Sequence, residues 1–424
     1  MKWKPYPKYK DSGVEWIGEV PEHWDVKIVK YTTYLKGRVG WKGLTSEEYQ
    51  EDGYAYLVTG TDFLSKYIDW NKCHYVEQAR YNDDPFIQLR NGDLLITKDG
   101  TIGKLALVED LDEPACLNSG IFLVRPKNSY ITEYFYWVLG SDVFAVFCDL
   151  SSLGSTIQHL YQNVFENFVF PVPSIPEQKS IAAFLDRETA KIDTLITKQE
   201  RLIELLLERR KALISHAVTK GLDPNAKMKD SGVEWIGEIP KKWKLDKIKH
   251  NVLIMGKSGL PASEGKEEGL YPFFTSSREQ NKFIDFAIFE DECLIMGNGG
   301  SASIHYINGK FSASNDCLVL KRQKNIIIKF LYYLIFSNIK TIDDLGFSGI
   351  GLRHLQKDFF YNMSIYLPAT SEQLGIVSYI DRETTKIDTL IEKSHRSIKL
   401  LRERRKALIS AAVTGKIDVR EAGA

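Results

Sequence analysis

The chain is written twice. DSGVEWIGE at 11–19 returns letter for letter at 230–238, and the match runs on through Pro21 and Trp24 to Pro240 and Trp243. A second block opens at Glu177-Gln178 and returns at Glu372-Gln373. It carries DRET at 186–189 and 381–384, KIDTLI at 191–196 and 386–391, and ERRKALIS at 208–215 and 403–410. The segments between, 25–169 and 244–363, share only an outline. GDLLITKDGTIGK (92–104) faintly echoes DECLIMGNGGSAS (291–303), and GSTIQHL (154–160) answers to GIGLRHL (349–355). A solenoid repeats in many short periods, and a plain duplication drifts evenly. Here near-identity alternates abruptly with divergence, which points to a fixed frame carrying two exchangeable inserts.

Composition narrows what such inserts bind. Lys+Arg and Asp+Glu both number 56, so the basic excess of a generic polyanion binder is missing and any nucleic-acid contact must come from local clusters. Hydrophobic residues make up 43% of the chain, ordinary globular material rather than a disordered segment. Cys73, Cys116, Cys148, Cys293 and Cys317 form no C-x-x-C pair and stand at no zinc-ligand spacing, the pattern of buried small hydrophobes in a reducing compartment. Met-Lys-Trp-Lys-Pro-Tyr-Pro has no apolar signal core, and no run approaches the roughly 18 apolar residues of a membrane span. A soluble cytoplasmic protein, with no membrane partner, is expected.

The second repeated block reads as a long helix. Pro176 suits a first helical position, Thr370 suits an N-cap, and Gly221 and Gly415 are natural stops after runs to about Thr219 and Thr414 that hold no further proline and only Gly375 among glycines. Leu185, Ile192, Leu195, Leu202, Leu206 and Leu213, with Ile380, Ile387, Leu390, Leu401 and Leu408, follow a spacing near 3.5, interrupted by Gln199 and Ser394. Roughly 40 helical residues reach ~60 Å, longer than a small domain is wide. Pairing of the two helices as a coiled coil is therefore expected, with a break near Asp186 or Asp381 left open.

The inserts read as mixed. Leu94–Thr97, Ile121–Val124 and Cys317–Leu320 are short strand-like runs, and Tyr134–Leu139 and Phe330–Phe336 are helical. The expected class is α+β: two tandem α+β domains separated by two long antiparallel coiled-coil helices with a pseudo-two-fold repeat. The expected segments are 1–173, a helix over 174–223, a second block and domain over 228–368, and a helix over 369–418.

With these blocks in view, the chain resembles type I restriction specificity subunits, in the Glu-Gln helix start, the KIDTLI and ERRKALIS helices, the GSTIQHL lead-in and the tandem of unlike segments. The resemblance spans nearly the whole chain. It implies two target recognition domains on double-stranded DNA and helices that dock two modification subunits. Those subunits would carry S-adenosylmethionine and methylate adenine. Two restriction subunits, using ATP and Mg, would join them. It implies no catalytic residue, metal or cofactor in this chain. Two unlike domains about a pseudo-two-fold axis would meet two unlike half-sites roughly one DNA turn (~34 Å) or so apart, with the helix pair as ruler.

Candidate DNA-contacting residues are sought where donors sit among glycines, since such loops let backbone and side chains approach phosphates and base edges. The first insert offers Lys36, Arg38 and Lys42; Lys98, Thr101 and Lys104; and Ser155, Thr156 and Gln158. The second offers Lys257 and Ser258; Asn298, Ser301 and Ser303; and Arg353. His159 and His354 stand at equivalent places, which favours a structural role. Trp16, Trp24, Trp235 and Trp243 are expected to anchor the constant blocks. The basic runs 209–211 and 404–406 suit a phosphate, an acidic partner or a solvated helix flank.

Two features imitate catalysis. Asp83-Asp84-Pro85-Phe86 lacks the first proline of an adenine-methyltransferase loop and is read as a turn. Gly297–Gly300 lacks the lysine and hydroxyl of a phosphate loop. Two rival readings remain. A self-sufficient nuclease or methyltransferase would need motifs that do not stand out here. A protein–protein scaffold would bind partners independently of salt and would ignore duplex DNA.

Overall fold

In the structure, a computed structural model, residues 3–38, 44, 48–151, 159–233 and 236–420 are described. The chain divides into two compact units, 1–198 with 397–424, and 199–396. These units cut across the contiguous segments anticipated from the repeats. A central helix, Ile175–Lys220, starts in the first unit and ends in the second, and a C-terminal helix, Thr370–Val413, does the reverse. Both are unbroken, at 46 and 44 residues, so neither is interrupted at Asp186 or Asp381. Among the described residues no helix is long and apolar enough to cross a membrane.

Inside each unit the helices run antiparallel. In the first, Asp193 of the central helix pairs with Arg405 of the C-terminal helix at 2.9 Å, and Leu185 and Ile192 share a core with Leu408, Ile409 and Ala412. In the second, Arg210 pairs with Asp388 at 3.2 Å, and Ile214, Ala217 and Val218 share a core with Ile376, Val377 and Ile380. The less exposed positions of the central helix alternate by three and four: Thr189, Ile192, Ile196, Gln199, Ile203, Leu206, Arg210. Those of the C-terminal helix do the same at Thr384, Ile387, Ile391, Ser394, Ile398, Leu401 and Arg405. The seam therefore uses Ile196, Ile203 and Ile391. Their neighbours Leu195, Leu202 and Leu390, expected on the stripe, are 48%, 42% and 47% exposed.

Each unit holds one six-stranded sheet of the same plan. In the first its order is 33–37, 121–126, 94–97, 105–107, 67–68, 63–64, and in the second 252–254, 317–322, 289–297, 304–313, 271–274, 282–284. All neighbours are antiparallel except 105–107 with 67–68 and 271–274 with 304–313. The strands read from sequence occupy these sheets, and the expected helices lie within Thr132–Leu139 and Ile328–Ser337. The first insert also carries a three-stranded sheet, 115–117, 55–58, 74–76, with its own apolar cluster around Leu57, Val76 and Cys116. The extra length of that insert goes there.

The constant blocks are joints between domain and helix. Trp24 and Trp243 are buried in their units' cores, while Trp16 is half-buried against Phe147; Trp235 lies outside the described residues. Gln178 accepts from the Ile131 N–H at 2.8 Å and donates to the Pro173 carbonyl at 2.8 Å. Gln373 repeats this with Ile327 at 2.8 Å and Pro368 at 3.0 Å. An otherwise orphaned N–H before the domain helix is thereby satisfied from the constant helix.

The C-terminal helix stops in a Schellman motif: Gly415 N–H meets the Ala412 carbonyl, Lys416 N–H meets that of Ala411, and Gly415 takes φ 72°. A Cβ on Gly415 would stand 2.4 Å from Pro21 and 3.2 Å from Trp24, whereas one on Gly221, at φ 75°, would find nothing nearer than 3.3 Å. Gly221→Ala is therefore expected to cost about 1 kcal/mol, for conformation alone. Gly415→Ala should cost about 3 kcal/mol, because overpacking adds to it. Urea denaturation of the two variants side by side checks the ranking.

Candidate nucleic-acid interface

At one end of each sheet the central strand runs into a glycine-containing loop, and two further loops are tied to it by backbone hydrogen bonds. In the first unit Thr97 closes its strand. Its hydroxyl accepts from Lys104 N–H at 3.0 Å and donates to the Thr101 carbonyl, folding 98–104 back on itself. Lys98 N–H donates to the Gly120 carbonyl at 2.9 Å, and Leu160 N–H donates to the Lys98 carbonyl at 3.0 Å. His159 pairs with Asp99 across the same cluster. Gly100 and Gly103 have positive φ, and a Cβ at either would meet nothing within 4 Å, so their backbone faces open space.

The second unit repeats this wiring with other residues. Asn298 N–H donates to the Asp316 carbonyl at 2.8 Å, and Leu355 N–H donates to the Asn298 carbonyl at 3.1 Å. Gly297 cannot carry a side chain, since a Cβ would lie 2.2 Å from the Ser303 hydroxyl. The loop that follows strand 252–254 joins in through Gly259, whose N–H donates to Asn315 Oδ1 at 2.9 Å. Loops read from sequence as scattered candidates are thus brought together, unit by unit.

Their side chains divide into two groups. Lys36, Thr101, Lys104, Lys257 and Ser301 are exposed, and Lys98, Ser258 and Asn298 are half-buried at the cluster. Lys36 and Lys98 lie 6.0 and 5.1 Å from the ring centres of Phe86 and Phe122. The other group supports the loops from within. Arg38 is only 2% exposed, its Nε donating to the Leu117 carbonyl at 2.9 Å. Ser303 is buried and donates to the Ser276 carbonyl at 3.1 Å. Arg353 donates to the Asp343 and Phe347 carbonyls and pairs with the Asp343 carboxylate at 3.4 Å. Lys42, Ser155, Thr156 and Gln158 lie outside the described residues.

Sequence reasoning passed over two apolar members. Ile350 and Leu352, 106% and 61% exposed, stand on the hairpin between Phe347-Ser348 and His354-Leu355. The signal in the sequence was an apolar residue isolated between glycines, Gly349-Ile350-Gly351, where a core residue has no reason to be. Bare apolar groups beside polar loop donors suit thymine methyls or a base step.

His305, at the start of the strand after the 297–303 loop, is held below the usual histidine range by burial, against which the Ser277 carbonyl, 2.9 Å from Nε2, works weakly. Burial pushes the Cys293 and Cys317 thiols up to about 11, so both are protonated at neutral pH and behave as core atoms.

Both halves of the chain match one family profile, described as the type I restriction modification DNA specificity domain, over residues 42–205 and 240–400. The chain belongs to this family. Its relatives include the MjaVIII specificity subunit of a type I restriction enzyme from Methanocaldococcus jannaschii, 24% identical over 95% of this chain and 94% of that protein. The MjaIX specificity subunit from the same organism is 22% identical over 99% of both. Among solved structures, a chain of a type I R-M system complex aligns with TM-score 0.66 at 16% identity, covering 93% of this chain and 98% of its own. The HsdS subunit of Thermoanaerobacter tengcongensis aligns with TM-score 0.55 at 14% identity, covering 94% and 98%. The fold of the family, down to its tandem α+β domains and long helices, is the fold seen here.

Two outcomes follow from the division of side chains. Arg353→Met, which leaves two carbonyls without their donor, is expected to destabilise the second unit by about 2 kcal/mol, while Lys257→Met leaves thermal stability unchanged. Because the folded pKa of His305 is depressed, stability is full above the unfolded histidine value of about 6.5 and falls as pH drops below it. His305→Gln should flatten that acid limb in a denaturation series from pH 7 to 5.

Proposed function

We propose that this chain is the DNA sequence-specificity subunit of a type I restriction–modification system, with no catalysis of its own. The observation that carries the reading is that one chain holds two copies of the family's domain, each presenting the same loop scaffold with different side chains. A shared scaffold gives both domains the same approach to a duplex, and unlike loops give them unlike targets. Such a chain reads an asymmetric target of two dissimilar half-sites.

Lys36, Lys98, Thr101, Lys104, Lys257, Ser258, Asn298 and Ser301 supply phosphate and base-edge contacts in this reading. The sequence candidates Lys42, Ser155, Thr156 and Gln158 join them in this reading, and Ile350 and Leu352 give apolar contact. Arg38, Ser303 and Arg353 shape the loops. Partners supply the chemistry: two modification subunits bring S-adenosylmethionine to adenine, two restriction subunits bring ATP and Mg, and the assembly works in the cytoplasm. The neutral net charge fits this division of labour, since tight binding then needs the partner's contacts as well.

Replacing 25–169 with the corresponding domain of another such subunit is expected to change one half of the methylated sequence and leave the other, read by mapping methylated adenines. A change in both halves defeats the modular reading. Binding of the assembled complex should weaken steeply with salt through counterion release. Ile350→Ala should weaken cognate binding about tenfold, within the ~1–3 kcal/mol of one base contact, without altering that salt slope.

A further inference from the structure

The half-buried carboxylate of the DRET motif does the same thing in both units with different partners. In the first unit Asp186 accepts from Lys66 Nζ at 2.6 Å and from the Trp137 indole N–H at 3.1 Å. In the second Asp381 accepts from Lys329 Nζ at 2.7 Å and from the Tyr333 hydroxyl at 2.5 Å. The aromatic donors are equivalent: Trp137 and Tyr333 stand at the same place in the domain helices that Gln178 and Gln373 staple at Ile131 and Ile327. The lysines are not. Lys329 lies on its domain helix, where the first domain has Glu133, and there the cation comes instead from Lys66 in the turn between strands 63–64 and 67–68. Two unlike inserts thus deliver one cation and one ring donor to one constant carboxylate by different routes.

The same ring also meets the helix pair. Arg405, which pairs with Asp193, lies 5.9 Å from the Trp137 ring centre, and Lys66 lies 5.8 Å from it. Helix register and domain orientation therefore meet at one network. These groups are partly exposed, Asp186 at 42% and Lys66 at 17%, so the ion pair adds little to stability. The apolar core between helix and domain binds without direction. What the network adds is direction, since hydrogen bonds to a fixed carboxylate are angular.

We propose that Asp186 and Asp381 are orientation sockets: each fixes the angle of its target domain on the helix, and any domain exchangeable on this frame must bring a lysine and an aromatic donor to that carboxylate. The consequence for the gap between half-sites rests on the DNA reading above. Asp186 is a positioning residue, acting through Lys66 and Trp137.

The test uses the full chain with its modification partner. Nitroxide-bearing non-natural residues replace the exposed Glu51 and Thr197, both in the first unit, and pulsed EPR reads their distance distribution. Lys66→Met and Asp186→Asn are each expected to broaden it, and Glu133→Lys added to Lys66→Met, which brings the cation from the domain helix as Lys329 does in the second unit, to narrow it again. In the single changes adenine methylation is expected to keep both half-sites but to spread over more than one gap length, returning to a single gap in the double change. If Asp186→Asn fails to fold, Lys66→Met, which leaves the helix untouched, gives the same reading. Unchanged widths, a double change no narrower than Lys66→Met alone, or a single gap in every variant overturns the proposal. If the widths respond but the wild-type complex marks no two-part target, the sockets stand and the DNA reading falls.

Discussion

The first core cannot close without the last turns of the chain. Leu408, Ile409, Ala412, Val413, Ile417 and Val419 are buried in the same cluster as Tyr6, Trp24, Phe170 and Leu185. The chain's two ends meet there, with Asp418 N–H donating to the Lys4 carbonyl at 2.8 Å and Arg420 lying 5.0 Å from the Tyr6 ring centre. The second core is made from the middle of the chain, with the end of the central helix in the corresponding role. Each constant block therefore has to receive a helix end from the other repeat. That requirement fits the near-identity of the blocks: each seat takes the start of one helix and the end of the other, so the same joint is built twice. The inserts face no such requirement beyond their joints.

Near-identity of sequence still leaves differences of bonding. Glu372 accepts from the Trp243 indole N–H at 3.1 Å. Its counterpart Glu177 is taken by the Tyr6 hydroxyl at 2.7 Å and by His23 at 3.2 Å, and the Trp24 indole N–H has no partner among the described residues. Tyr6 stands where the second block has Asn225, so an aromatic ring near the start of the chain has rewired one seat. At the DRET aspartates too, different donors reach the same carboxylate, Lys66 in one unit and Lys329 in the other.

What could be read in advance followed the strength of local signals. The long helices were legible because no proline interrupts them past the first turn and one glycine, Gly375, is too few to break a helix, and the strands at 94–97, 121–124 and 317–320 because β-branched and apolar residues run between turn residues. The seam was legible in spacing but not in register. At Leu195-Ile196 and Leu202-Ile203 two apolar neighbours compete, and only packing selects the isoleucines. The loop candidates were legible as loops, since glycines at positive φ mark Gly100, Gly103, Gly300 and Gly351. Which of their side chains face outward was not. Arg38 looks like a surface cation in sequence, and its burial is set by a carbonyl from the distant Leu117; Arg353, half-buried, is turned inward by the carbonyls of Asp343 and Phe347. The lysine partners of the DRET aspartates were invisible for the same reason.

In the proposed function a single chain, on one repeated frame, reads two different pieces of one DNA target. Mapping every methylated adenine in cells that carry this gene with its modification partner, against cells lacking it, tests this directly. One interrupted target whose two specified parts differ, separated by a gap of constant length, is expected. A continuous target, a palindromic one, or no new methylation at all would contradict it.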